Sequence, residues 1–375
     1  GVKVLKYYIG GKMELDIMLK IILMVCCTFL FVALFIPIVK KIAEHVGALD
    51  MPNARKVHKK PMPRLGGIGI YAGFLFGYMI FCNPTPLMNS VLIGSFIIIF
   101  TGIIDDINPV PAKYKVIGQF LAALIVVCYG GLLIKDLSAF GFYIDFGYLA
   151  YPITILFILG CINCMNLIDG LDGLAAGISS IFFLTIGIIA SLKGCFDTSF
   201  LLTFIMLGST LGFLVHNFNP ASIFMGDSGS MFLGFIISVI TLTGYKNVMM
   251  SSLIIPLLIL AIPILDTLFA IIRRSLKGEK VSEPDKYHIH HQLLNRNLSQ
   301  RATVLCIYAI NLLFAFASIV YVLKDRILGY FIYGILLIIV MFFVVKTNVV
   351  VEHHSNDKKN KIKNNSKKEE KQEVK

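Results

Sequence analysis

The 375-residue chain is 57% hydrophobic and only 15% charged, with a mean hydropathy of +0.81. Soluble domains carry roughly a quarter of their residues as Asp, Glu, Lys and Arg, so soluble, disordered and disulfide-scaffold folds are excluded. The net charge of +12 sits mainly in two loops and the C-terminal tail, as membrane topology requires, so no nucleic-acid partner is expected.

What remains is an all-α polytopic membrane protein in a lipid bilayer. A crossing helix needs about 20 apolar residues, fewer where helices are broken. Eleven stretches qualify: 17–39, 66–81, 90–104, 116–134, 149–163, 174–192, 200–214, 230–244, 250–272, 302–323 and 327–346. The first is long enough to stay as a membrane helix rather than be cleaved as a signal peptide. Residues 1–16 form an extension before it, 17–346 a transmembrane domain, and 347–375 a Lys-, Glu- and Asn-rich tail expected to be disordered. With eleven spans, one set of loops holds sixteen Lys and Arg before the tail is counted and the opposite set holds five. The positive-inside rule then puts the N-terminus outside and the richer loops and C-terminus in the cytoplasm.

Chemistry-bearing residues follow in chain order. In TGIIDDINPVPAKYKVIGQ, Asp105 and Asp106 repel each other, so holding both ionised needs a divalent cation or a nearby Lys113 or Lys115. Alternatively one acts as a base, or the pair caps a helix before a Pro-containing turn. Residues 135–148 alternate around Phe140, Phe142, Ile144 and Phe146, which fits either a small external β-hairpin or an interfacial aromatic loop. Cys161 and Cys164 form a CxxC, but without a second pair its metal or redox reading is weak.

In INCMNLIDGLDGLAAG, a helix would put Asn163, Asn166, Asp169 and Asp172 successively on one face. Such a stripe cannot face lipid and must meet protein, water or a polar ligand. Gly170, Gly173 and Gly177 permit close approach or a break in that helix. In HNFNPASIFMGDSGSMFLG, Asp227 lies between Gly226 and Gly229 as a new span begins. That is a loop entering a helix N-terminus, a setting that favours phosphate and a bridging Mg²⁺. Asn217 there could contact a ligand and Phe224 could face a base, with simple capping by Asp227 as the alternative. The loop YHIHHQLLNRNLSQR carries His288, His290 and His291. Zinc would want further ligands, and none has convincing spacing. With Arg296 and Arg301, the histidines read better as donors to pyrophosphate. Asp105, Asp106, Asp169, Asp172 and Asp227 thus fall at span ends on one face of the membrane. A transporter would gather its ionisable groups near the midplane instead.

DDINPVPAKYKVIGQ, NCMNLIDGLDGLAAG, FMGDSGS and HIHH, in this order, resemble the motifs of the polyprenyl-phosphate N-acetylhexosamine-1-phosphate transferases, as does LDMPNARKVHKKPMPRLGGIGIY. HIHH is similar to the signature of the bacterial undecaprenyl-phosphate GlcNAc-1-phosphate branch. The branch that makes lipid I by transferring phospho-MurNAc-pentapeptide has three consecutive His followed by Phe-Glu, and here Ile289 interrupts them and Gln292-Leu293 follows. The resemblance implies transfer of GlcNAc-1-phosphate from UDP-GlcNAc to undecaprenyl phosphate, at the cytoplasmic face of a bacterial plasma membrane. The product would open a cell-envelope glycopolymer such as wall teichoic acid. The cofactor implied is Mg²⁺, with Mn²⁺ as a substitute, and a homodimer is a family-level expectation. By position, Asp227 matches the magnesium-binding Asp and Asn166 a second contact to metal or pyrophosphate. Asp105 matches the proposed base, with Asp106 beside it and Lys115 as a phosphate partner, while Asp169 lines the catalytic centre. Asp172, Asn217 and Phe224 match positions around the uridine nucleotide, and His288, His290 and His291 the essential His loop.

Overall fold

A backbone taken out of water must satisfy its own N–H and C=O groups, so the apolar runs fold as helices. The computed structural model describes residues 2–52, 60–139, 142–246, 254–277, 289–294, 296, 298–323 and 326–346. Its helices begin with α1 (Val2–His45), α2 (Gly66–Phe81), α3 (Pro86–Ile107) and α4 (Ala112–Cys128). There follow α5 (Ala150–Ile168), α6 (Leu174–Lys193), α7 (Thr198–Asn217) and α8 (Gly226–Lys246). The last group is α9 (Ile254–Ile259), α10 (Ala261–Lys277), α11 (Ile289–Leu294), α12 (Gln300–Leu323) and α13 (Arg326–Lys346).

Among the described residues, seven helices are long and apolar enough to cross a membrane, and two shorter apolar ones accompany them. The chain is a helical, multi-pass membrane protein. Its core is centred on α8, the least apolar of the seven and the most enclosed, with 94% of its apolar window buried against 22% for α1. It packs against α2, α3 and α5. Phe232 of α8 meets Phe74 and Tyr71 of α2 at ring-centroid distances of 5.5 and 5.3 Å. Inside a bilayer such contacts hold by dispersion and shape rather than by expelling water.

Three stretches depart from the spans expected. The run at 116–134 is helical only to Cys128, and Gly131 then takes a left-handed φ of +66°. Leu132 and Ile134 remain buried beyond that turn, with the Ile134 N–H donated to Thr154 Oγ1 at 2.9 Å. Apolarity there reports burial without helix. The run at 250–272 divides into α9 and α10 at Leu260, and residues 250–253 lie outside the described set. Pro263 has no N–H for the Ile259 carbonyl, and its ring crowds that carbonyl, so the first helix ends there. The amide stripe is helical only through Ile168, so Asp169 and Asp172 stand in a turn rather than on the helix face. At 135–148 the hairpin reading holds: β3 (Asp136–Ala139) pairs antiparallel with β4 (Phe142–Asp145), Leu137 opposite Ile144.

A second, two-residue ladder pairs β1 (Leu49–Asp50) with β2 (Met62–Pro63). It lies between α1 and α2, at the end of the bundle where the motif-bearing helix termini meet.

Candidate active site

The site is assembled from helix ends. Asp105 and Asp106 occupy the last turn of α3, Lys115 the first turn of α4, and Asp227 the first turn of α8. Carboxylate oxygens of Asp105, Asp106 and Asp227 lie within 4.8 Å of one another. Lys115 Nζ bridges two of them, 2.7 Å from Asp227 Oδ2 and 3.1 Å from Asp105 Oδ2. Of the two lysines near this pair in sequence, Lys115 is the one in the cluster.

The three acids have different environments. Asp106 is wholly buried, and both its oxygens accept from the start of α8. Oδ1 takes the Asp227 N–H at 2.8 Å, and Oδ2 takes the Ser228 N–H at 3.1 Å and hydroxyl at 2.7 Å. A carboxylate on orphan N–H groups at a helix N-terminus is a capping arrangement, here supplied by a different helix. Asp105 Oδ1 accepts the Val110 N–H at 2.9 Å and closes the Pro-containing turn, leaving Oδ2 toward Lys115. Asp227 keeps a side chain 20% exposed and faces the cavity. Both readings of the Asp pair, capping and charge cluster, thus apply to one structure.

Glycine makes this convergence feasible. A Cβ on Gly67 would lie 2.1 Å from the Gly229 nitrogen, and Gly226 has a left-handed φ of +75° beside Asp106. The entry to α2 is stitched to the entry to α8 by backbone bonds. The Gly66 N–H reaches the Phe224 carbonyl at 2.9 Å, the Gly67 N–H the Met225 carbonyl at 2.8 Å, and the Phe224 N–H the Pro63 carbonyl at 2.7 Å.

Beside the cluster opens a cavity of about 660 Å³ whose lining includes Asn166, Asp169, Asp172, Asn217, Phe224 and Asp227. The motifs DDINPVPAKYKVIGQ, NCMNLIDGLDGLAAG and FMGDSGS therefore meet around one opening. Asn166 donates its amide nitrogen to Ser230 Oγ at 3.0 Å, which orients Oδ1 as its acceptor. Asn163 turns away toward α4 and pairs with buried Gln119 at 2.8 Å. Asp169, half-buried beyond the end of α5, loses hydration and faces the charges of Asp227 and Asp106, which push its carboxyl up to about 8. With no divalent ion beside it, it therefore carries its proton around neutral pH and offers the cavity a donor. Asp172 accepts from Asn219 Nδ2 at 2.8 Å and from the Ala221 N–H at 3.1 Å. Asn217 borders the cavity, but its amide is engaged by backbone: Oδ1 accepts from Gly173 and Nδ2 donates to Ile223. It shapes the rim between α6 and α8. Arg301 donates Nε to the Asn219 carbonyl at 2.8 Å and so braces the same rim from α12. His288 lies outside the described residues. His290 and His291 stand on α11, with their side chains outside the described set.

The donor set is oxygen only, carboxylates with an amide, which is chemistry for a hard divalent cation rather than for zinc. Asp106 is saturated by N–H and O–H donors, so Asp227, Asp105 and the Asn166 amide oxygen are the groups able to hold such an ion.

Arg64 and Asn219 belong to this site without having been singled out in the sequence. Arg64 reaches Asp106 Oδ1 from Nε at 3.1 Å and from Nη2 at 2.9 Å. It also stands 3.5 Å from Asp227, 3.7 Å from Asp50 and 3.9 Å from Asp105. Its signal in the sequence is a cation two residues before a double glycine at a span entry, within the stretch LDMPNARKVHKKPMPRLGGIGIY.

The family described as glycosyl transferase family 4 matches residues 88–245, the stretch from α3 to α8 that holds Asp105, Asp106, Asp169, Asp172 and Asp227. A Bacillus subtilis (strain 168) protein named "Probable undecaprenyl-phosphate N-acetylglucosaminyl 1-phosphate transferase" is 44% identical over 308 residues, covering 81% of this chain and 85% of the relative. The decaprenyl-phosphate N-acetylglucosaminephosphotransferase of Mycobacterium tuberculosis (strain ATCC 25618 / H37Rv) is 31% identical over 302 residues, 72% of this chain and 74% of its own. The undecaprenyl-phosphate alpha-N-acetylglucosaminyl 1-phosphate transferase of Escherichia coli (strain K12) is 32% identical over 281 residues, 73% of this chain and 76% of its own.

Proposed function

Since the chain belongs to glycosyl transferase family 4, among the polyprenyl-phosphate GlcNAc-1-phosphate transferases, we propose that it transfers GlcNAc-1-phosphate from UDP-GlcNAc to undecaprenyl phosphate, releasing UMP. The observation that carries this reading is the meeting of Asp105, Asp106 and Asp227 beside a cavity that Asn166, Asp169, Asp172 and Phe224 also line. A cavity of about 660 Å³ is of the size that small-molecule ligands occupy. We assign the chain to a bacterial plasma membrane, with eleven spans, an external N-terminus and the site at the cytoplasmic face. Wall teichoic acid is the downstream polymer we favour.

Phosphoryl transfer asks mainly for positioning and charge neutralisation. Mg²⁺ held by Asp227 with Asn166 would supply Lewis-acid stabilisation of the diphosphate. Lys115, between Asp105 and Asp227, offers a cation to a phosphate oxygen. A phosphate monoester has largely lost its second proton at neutral pH, so Asp105 needs to accept only the residual one. The lipid phosphate then attacks the sugar-bearing phosphorus in line and in one step. Exchange of UMP into UDP-GlcNAc by lipid-free enzyme would instead establish a covalent intermediate.

The test is UMP release by purified protein, with undecaprenyl phosphate and Mg²⁺ each present or omitted. Turnover needing both, with UDP-GlcNAc preferred to UDP-MurNAc-pentapeptide, is the expected result. Release of no UMP under any condition would favour a transporter. Asp227→Asn should abolish Mg²⁺-dependent turnover, and retained activity would refute its role as ligand.

A further inference from the structure

We propose that Arg64 is a positioning residue for the transfer reaction: through Asp106 it fixes the first turn of α8 and thereby aims Asp227 into the cavity. This rests on the metal role given above to Asp227.

Asp106 has a fully buried side chain whose Oδ1 accepts from the guanidinium and the Asp227 N–H and whose Oδ2 accepts from the Ser228 N–H and hydroxyl. The guanidinium and two backbone N–H groups all aim donors at its oxygens, a geometry that favours the carboxylate. A buried carboxylate persists only if a cation compensates it. Arg64 is that cation. Lys115 is bonded to Asp105 and Asp227 instead. The guanidinium fork is held in place by its own backbone, since the Arg64 N–H bonds the Ala48 carbonyl at 3.0 Å and the flanking residues are stitched to 224 and 225. Charge, fork and backbone anchor converge on the turn that bears Asp227.

Four full-length variants test this: Arg64→Met, Arg64→Lys, Asp106→Asn and the double variant Arg64→Met with Asp106→Asn. Mn²⁺ alone serves as probe, its binding followed by electron paramagnetic resonance, beside kcat and KM for UDP-GlcNAc. Arg64→Met should weaken Mn²⁺ binding by about tenfold or more, as loss of a residue supporting a ligand does. Its kcat should fall by about 100-fold with KM nearly unmoved, the mark of misplaced catalytic groups. Arg64→Lys should recover part of both. Asp106→Asn should show a similar loss, and adding Arg64→Met to it should cost little more. Multiplying losses, a KM effect in place of a kcat effect, or unaltered Mn²⁺ binding by Arg64→Met would overturn the proposal. Should Arg64→Met not fold, Arg64→Lys decides, made both alone and together with Asp106→Asn. A loss when Asp106 is intact and no further loss in the Asp106→Asn background supports the proposal, and equal losses in both backgrounds overturn it. Failure of the unsubstituted protein to bind Mn²⁺ would remove the metal reading itself, a separate result.

Discussion

Lys115 and Asp169 show how residues beside one cluster of acids acquire different work. Lys115 holds two acids that would otherwise repel, and its ammonium is the cation nearest to Asp227. Lys115→Met should lower kcat for UMP release by about 100-fold, the usual cost of removing one donor aimed at developing charge. Asp169 titrates near 8 in the folded chain, above its ordinary carboxylate value. Between about 4 and 8 the folded state holds a proton that the unfolded state has released, so this group's contribution to stability is full at the acid end and falls as pH rises through that window. Thermal midpoints in detergent with a chelator should therefore decline from pH 5 to 8.5, and Asp169→Asn should flatten that decline. A steeper decline in the variant would refute the protonated state. The five acids were legible in the sequence because charge near hydrocarbon is costly and all five fell at span ends on one side. Arg64 was not, since a cation in a basic loop is commonplace until its partners are known. Nor was the division of labour between Asp105 and Asp106, which depends on which oxygens α8 reaches.

At the scale of elements, the joint between α2 and α8 rests on the missing side chain of Gly67. A methyl there would press on the Gly229 nitrogen and Cα, backbone atoms that cannot swing aside. Gly67→Ala should cost about 1–3 kcal/mol by overpacking, read as a lowered midpoint in detergent with activity lost alongside. Gly160→Ala on α5, where a Cβ would meet nothing within 4 Å, should be silent in the same measurement. Apolar runs located most helices to within a few residues, because burial and lipid exposure both demand hydrocarbon. The same equivalence hid the extended segment after Cys128, whose apolar side chains are buried against protein. The break between α9 and α10 was signalled only by Pro263, which hydropathy alone does not weigh.

For the whole molecule, the C-termini of α1, α3, α5 and α7 and the N-termini of α2, α4, α6, α8 and α12 gather at the site. This alternation was readable once spans were counted, and the orientation proposed for it rests on charge asymmetry between the loops. With all eight cysteines replaced, a membrane-impermeant maleimide should label Tyr148→Cys, 94% exposed beyond the hairpin, in intact cells. Met51→Cys, exposed beside the site, should be labelled only after lysis, and the opposite pattern would invert the proposed topology. The enclosure of α8 bears on how such a molecule is made. The least apolar of the seven crossing helices gains most from protein surfaces already lodged in the membrane. Its companions α2, α3 and α5 all leave the ribosome before it does, so the order of synthesis itself prepares the berth in which the helix carrying Asp227 can settle.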